Sequence, residues 1–101
     1  MMHLVIFIAT AAVQDGEYAA LAASLRERAL QEFGCLEFMS VCEEGKEVAL
    51  SWWPSQEHIR RWKADADHQM AQRLGRERWY RDYRVLVADV RRDYRAASTE
   101  S

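Results

Sequence analysis

The stretch Glu47-Val48-Ala49-Leu50-Ser51-Trp52-Trp53-Pro54-Ser55 sets a strand-to-helix junction near the middle of this 101-residue chain. The apolar run up to Trp53 reads as a strand. Pro54 has no backbone N–H and cannot continue a ladder. Ser55 offers an oxygen to the first turn of a following helix, where Ile59, Trp62 and Ala66 form an apolar stripe. Neighbouring strand side chains point to opposite faces, so Trp52 and Trp53 cannot share one. One is expected to face the sheet–helix interior and the other a partner subunit. With Trp62, three of the four tryptophans gather around this junction, which predicts either a strongly aromatic core or an aromatic-lined pocket.

Downstream, Asp65-Ala66-Asp67 reads as a helix break and re-cap, after which Met70, Ala71 and Leu74 carry the stripe to about Tyr80. A last strand is expected over Tyr83–Arg92. Upstream, Glu43-Glu44-Gly45-Lys46 reads as a hairpin turn, preceded by a strand from Cys35 to Cys42 with Phe38 facing one way and Met39 and Val41 the other. Before it lies a helix over 16–33, with Asp15 as N-cap, Gly34 as the stop and Tyr18, Leu21, Leu25, Ala29 and Phe33 at helical spacing. The first strand is His3–Thr10. Residues 1–94 make one domain, and 95–101 form a small polar tail.

The resulting order, β-α-β-β-α-β, predicts an α+β fold, the ferredoxin-like sandwich. A sheet with helices on one face should turn polar on the other. Here the first, second and fourth strands are apolar on both faces, so something must cover the second face. A second copy packed sheet to sheet, as a two-fold homodimer, is the economical expectation.

Composition narrows the function classes. Residues 1–54 hold three Lys/Arg against eight Asp/Glu, and 55–101 hold eleven against eight, for a net charge of −2. The basic half is interrupted by Glu77 and Asp82, which argues for a solvated face and against nucleic-acid binding. Cys35 and Cys42, on one strand, would lie about 23 Å apart, too far for a disulfide. They are expected to be small buried residues, reduced thiols of a cytoplasmic protein. The apolar run Leu4–Ala12 lacks the basic flank of a signal peptide, and no run reaches the ~20 apolar residues of a membrane span. No Cys/His cluster has metal-site spacing.

The block Ser51-Trp52-Trp53-Pro54-Ser55, Ile59-x-x-Trp62-Lys63 and His68-x-x-Ala71-Gln72-x-x-Gly75-Arg76-x-x-Trp79-Tyr80-x-x-Tyr83 resembles the antibiotic biosynthesis monooxygenase (ABM) domain family, as do the element order and chain length. The resemblance implies a dimeric α/β barrel of two ferredoxin-like protomers. The family includes cofactor-free monooxygenases of anthrone-like polyketides, haem-degrading monooxygenases and many members without an assigned activity, which this chain resembles most.

In the polyketide oxygenases the resemblance points to a Trp at the end of the third strand, matched by Trp53, and to a helical Arg, matched by Arg73. Their Asn is replaced by Ala49. Haem degradation is disfavoured, because the axial His position holds Gln72 and Phe7 stands near the place of a first-strand Asn. No cofactor is expected. Trp53, His68 and Arg73 are therefore candidate catalytic residues, His68 because it titrates nearest neutrality. Trp62, Tyr18, Tyr80, Arg76 and Phe7 are candidate substrate contacts, although each aromatic ring fits core packing as well. The expected function is a cofactor-independent monooxygenase acting on an aromatic or polyketide-like small molecule. The alternative is a non-catalytic homodimer that binds or sequesters a small aromatic metabolite, and a third reading is a structural dimer without a pocket.

Overall fold

The computed structural model describes residues 1–12, 16–72 and 79–97. The predicted hairpin joins β2 (Glu37–Glu43) to β3 (Lys46–Trp53) through Glu44 and Gly45, whose φ angles are 50° and 79°. Two successive positive φ values match the right-handed twist of the flanking strands. β3 pairs antiparallel with β1 (His3–Ala11), and β1 pairs antiparallel on its other side with β4 (Tyr80–Asp89). Among the described residues the strands form one sheet in the order β2-β3-β1-β4. The connections run through α1 (Gly16–Glu32) and α2 (Gln56–Gln72). This is the ferredoxin-like α+β arrangement.

Local signals set the helix ends. Ser55 accepts a hydrogen bond from the His58 backbone N–H at 3.2 Å, closing the first turn of α2. Gly34 ends α1 with φ +80°, and Cys35 N–H then reaches the Ala29 carbonyl at 2.9 Å. A Cβ at Gly34 would stand 2.8 Å from the His58 ring, so this position requires glycine for space as well as for φ. The Asp15 cap lies outside the described residues.

Three boundaries differ from expectation. α2 runs unbroken through Asp65-Ala66-Asp67, because both carboxylates are engaged away from the backbone. Asp65 accepts two hydrogen bonds from Arg28 of α1, each at 2.8 Å, and Asp67 pairs with Lys63 at 3.0 Å. β2 begins at Glu37, with Cys35 buried just before it under the sheet edge. β4 begins at Tyr80 and ends at Asp89, three residues ahead of the expected span at each end. The shift follows pairing with β1, where Tyr80 lies opposite Ala11 across an irregularity in the ladder.

The sheet's register decides which side chains face the helices. Val5 lies beside Ser51 and Val87, Phe7 beside Ala49 and Val85, and Ala9 beside Glu47 and Tyr83. The interior is packed in two groups. Val5, Ala29, Cys35, Trp53 and Ile59 close one end, and Tyr18, Leu21 and Trp79 close the other. On the opposite face, register aligns Met39, Leu50, Ile6 and Leu86 in one row across all four strands. A parallel row runs Val41, Val48 and Ile8, and Trp52 lies beside Leu4. Met39 and Val41 are exposed and the others half-buried.

Candidate functional site

Between the two packed groups lies a cavity of about 410 Å³. Its floor is the inward face of the sheet, where Ser40, Ala49 and Ser51 are too small to fill the space beneath the helices. Ala22 and Ala66 leave the same gap on the helix side. The remaining wall is aromatic and aliphatic. Phe7 stacks at 5.9 Å on Tyr83 and meets Tyr80 edge-on at 5.4 Å, while Trp62 meets Phe38 edge-on at 6.2 Å. Small residues over large ones, in register, thus make a slot bounded by ring edges and faces. Exposed Arg26 and Lys63 stand on the helix side of its rim.

One end of this apolar slot is polar. Glu47 lines the cavity at the start of β3 and accepts a hydrogen bond from the Tyr18 hydroxyl of α1. Tyr80 of β4, also in the wall, donates to the Tyr18 oxygen at 3.3 Å. The three groups come from three elements and form a chain ending on the carboxylate. Burial pushes the Glu47 carboxyl above its ordinary value, since the charged form loses hydration. Burial, and then the Glu47 charge, push the Tyr80 phenol well above its ordinary value, so Tyr80 stays a neutral donor. A carboxylate of raised pKa lining an aromatic slot can take a proton from a bound phenol or activated C–H.

The residues singled out in the sequence divide into groups. Phe7, Trp62 and Tyr80 line the cavity. Tyr18 stands just behind the wall, its ring edge-on to Trp79 and Tyr80 and its hydroxyl on Glu47. Trp53 is fully buried behind Trp62, with ring centroids 5.1 Å apart and its indole N–H on Ser51 Oγ at 2.8 Å. It supports the wall without lining it. His68 is exposed on α2 and outside the cavity lining. Arg73 and Arg76 lie outside the described residues, as do Gly75 and Arg78. His58 is half-buried, with Nδ1 2.6 Å from Ser55 Oγ.

Glu47 was not anticipated as a site residue. Its signal was phase: positions 47, 49, 51 and 53 share one face of β3, and once Trp53 points inward Glu47 does too. A charged residue at an inward position was legible in principle but looked like an ordinary strand start. Among the described residues, no three His, Cys, Asp or Glu side chains cluster as a metal ion would need. No described helix is long and apolar enough to cross a membrane. Neither cysteine forms a disulfide; Cys35 is buried as expected, but Cys42 is exposed, because it lies on the edge strand β2.

Comparison with known proteins places this geometry in context. A family model described as antibiotic biosynthesis monooxygenase matches residues 1–74. The chain is 34% identical over 91 residues to the uncharacterized protein YqjZ of Bacillus subtilis (strain 168), covering 89% of this chain and 80% of that one. It is 32% identical over 80 residues to jasmonate monooxygenase ABM of Pyricularia oryzae, covering 76% of this chain but only 37% of that longer protein. Among solved structures, SnoaB, a cofactor-independent oxygenase from Streptomyces nogalater, superposes with a TM-score of 0.71 at 13% identity, over 91% of this chain and 95% of its own. Rv0793 of Mycobacterium tuberculosis gives 0.73 at 14% identity, over 92% and 98%. At such identities these two likenesses speak for the fold.

Proposed function

This chain belongs to the antibiotic biosynthesis monooxygenase family, and from that membership we propose that it is a cofactor-independent monooxygenase acting on an aromatic or polyketide-like small molecule held between helices and sheet. The observation that carries the reading is the 410 Å³ cavity with its aromatic wall and the Glu47 carboxyl at one end. Its volume falls within the ~300–1,000 Å³ usual for small-molecule sites, and its wall suits a flat ring system. The description of SnoaB as a cofactor-independent oxygenase and the name of the Pyricularia relative support the reaction class.

Dioxygen reacts slowly with neutral closed-shell molecules, whereas an electron-rich phenolate or enolate can pass it an electron directly. The protein's task is then to strip water from the substrate, favour its anion and hold it beside oxygen. For an anthrone-like substrate the balance is one methylene plus one dioxygen giving one ketone plus one water. Phe7, Trp62 and Tyr80 would hold the rings, Trp53 would fix the Trp62 wall, and the partner copy would cover the apolar outer face of the sheet as a homodimer.

The test is oxygen uptake with anthrone in labelled dioxygen. Label in the product ketone, at a rate well above the uncatalysed one and reduced tenfold or more in Trp62→Ala, is the expected result. A probe that binds tightly but is never consumed in air would replace the enzyme reading with the sequestering one, which Ala49, at the position of the oxygenases' Asn, favours.

A further inference from the structure

We propose that Glu47 is the proton acceptor of this cavity, positioned by Tyr18 and Tyr80, and that the site therefore selects aromatic molecules carrying an ionisable O–H or an activated C–H at the Glu47 end. The inference rests on the functional reading above and adds to it the residue that makes the substrate anion.

Geometry separates Glu47 from the other charged and titratable groups around the slot. Asp67 lines the rim, but its carboxylate is paired with Lys63 at 3.0 Å and stands half in water. His68 does not line the cavity. Tyr18 and Tyr80 are donors in the chain that ends on Glu47 and cannot accept a proton as neutral phenols. Facing Glu47 from the elements packed around it are Tyr18 on α1, Tyr80 and Tyr83 on β4 and, across the β2–β3 ladder, Cys42, with no Lys or Arg in ion-pair contact among the described residues. A half-buried base that lines the ligand space, with no cation paired to it among the described residues, is poised to take a proton.

The reach of the slot also fits. Glu47 and Ser51 are both floor residues of β3, four residues apart, or about 13 Å at 3.3 Å per residue. A fused aromatic system of two or three rings fits within that length, with its acidic edge against Glu47 and its body between Phe7, Phe38 and Trp62. In the step proposed, a Glu47 carboxylate oxygen takes the proton, and the electron pair of the broken C–H or O–H bond stays on the substrate, delocalised onto its oxygen. The Tyr18 hydroxyl keeps its bond to the same carboxyl group throughout and sets its direction.

The proton step can be read without oxygen. Anthrone deuterated at its methylene carbon is incubated with the full-length protein under argon, and exchange of deuterium for solvent hydrogen is followed by mass spectrometry across pH. The expected result is exchange accelerated by the wild type, with an acid limb above pH 4.5, cut about a hundredfold or more in Glu47→Gln and partly restored in Glu47→Asp. Tyr18→Phe keeps the ring but removes the donor that favours the carboxylate, so its acid limb should move to higher pH. That variant leaves the charge in place and serves if Glu47→Gln fails to fold. Wild-type exchange no faster than in buffer, or equal exchange in Glu47→Gln, overturns the proposal even if oxygen is consumed. Exchange that depends on Glu47 with no oxygen uptake in air supports it while removing the monooxygenase reading.

Discussion

Glu47 carries the tension between folding and chemistry at the scale of one residue. A carboxyl whose folded pKa is raised contributes stability in its protonated form, and that contribution is lost as pH rises through the folded value. The window therefore opens at the ordinary value of 4.5 and extends upward. Glu47→Gln keeps an oxygen for Tyr18 to donate to and removes the charge. Its melting temperature should gain on the wild type as pH rises above 4.5 and level off once the Glu47 carboxyl of the folded protein is fully ionised, with roughly 4–8 °C for each kcal/mol in a domain of this size. A constant difference across pH would contradict the burial argument. Trp53 shows the opposite balance. The sequence showed only that Trp52 and Trp53 point to opposite faces; that Trp53 is the inward one, with its indole N–H and ring spent on Ser51 and Trp62, depends on neighbours and not on its position in the strand.

At the scale of elements, the boundaries that local chemistry controls fell where the sequence put them. The Gly45 turn, the Ser55 cap and the Gly34 stop each need only a few neighbouring residues. The misread boundaries were those set by distant partners. Asp65 looks like a capping residue in its own helix, but Arg28, 37 positions away, holds it with both guanidinium donors. Arg28 also pairs with Glu32 at 3.1 Å and lies over the Phe33 ring, so the bridge ties the end of α1 to the middle of α2. Asp65→Ala should lower the melting temperature without shortening α2. The loss, measured by thermal melts with far-UV circular dichroism, should shrink in high salt. A shortened helix would restore the capping role first read from the sequence.

At the scale of the whole molecule, the outer face of the sheet carries an apolar band through its centre, flanked by Arg84 and Glu37. Met39, Leu50, Ile6 and Leu86 align across it because antiparallel register puts them opposite one another. In the homodimer proposed above, Leu50→Lys would place a charge in the centre of that row. Sedimentation and native mass spectrometry should then find a wild-type dimer and a variant shifted to monomer, with the cavity-facing residues unchanged. A wild-type monomer would remove the homodimer. A cavity walled on its floor by a sheet whose far side needs cover also predicts that ligand binding weakens when the dimer is lost.

What the sequence by itself determined is the order of elements, the turns between them and the two-faced character of the strands, because periodicity and capping act over a few residues. The family resemblance at residues 51–83 was legible for the same reason, being carried by one contiguous block. Only the tertiary structure decided that Ala22, Ala49, Ser51 and Ala66 leave a cavity, that Phe7, Trp62 and Tyr80 line it while Trp53 stands behind and His68 outside, and that Glu47 meets Tyr18 and Tyr80 inside it. Those facts depend on which side chains meet across strands and helices far apart in the chain. Packing between such elements, and the burial it imposes on a carboxylate, has no local signature.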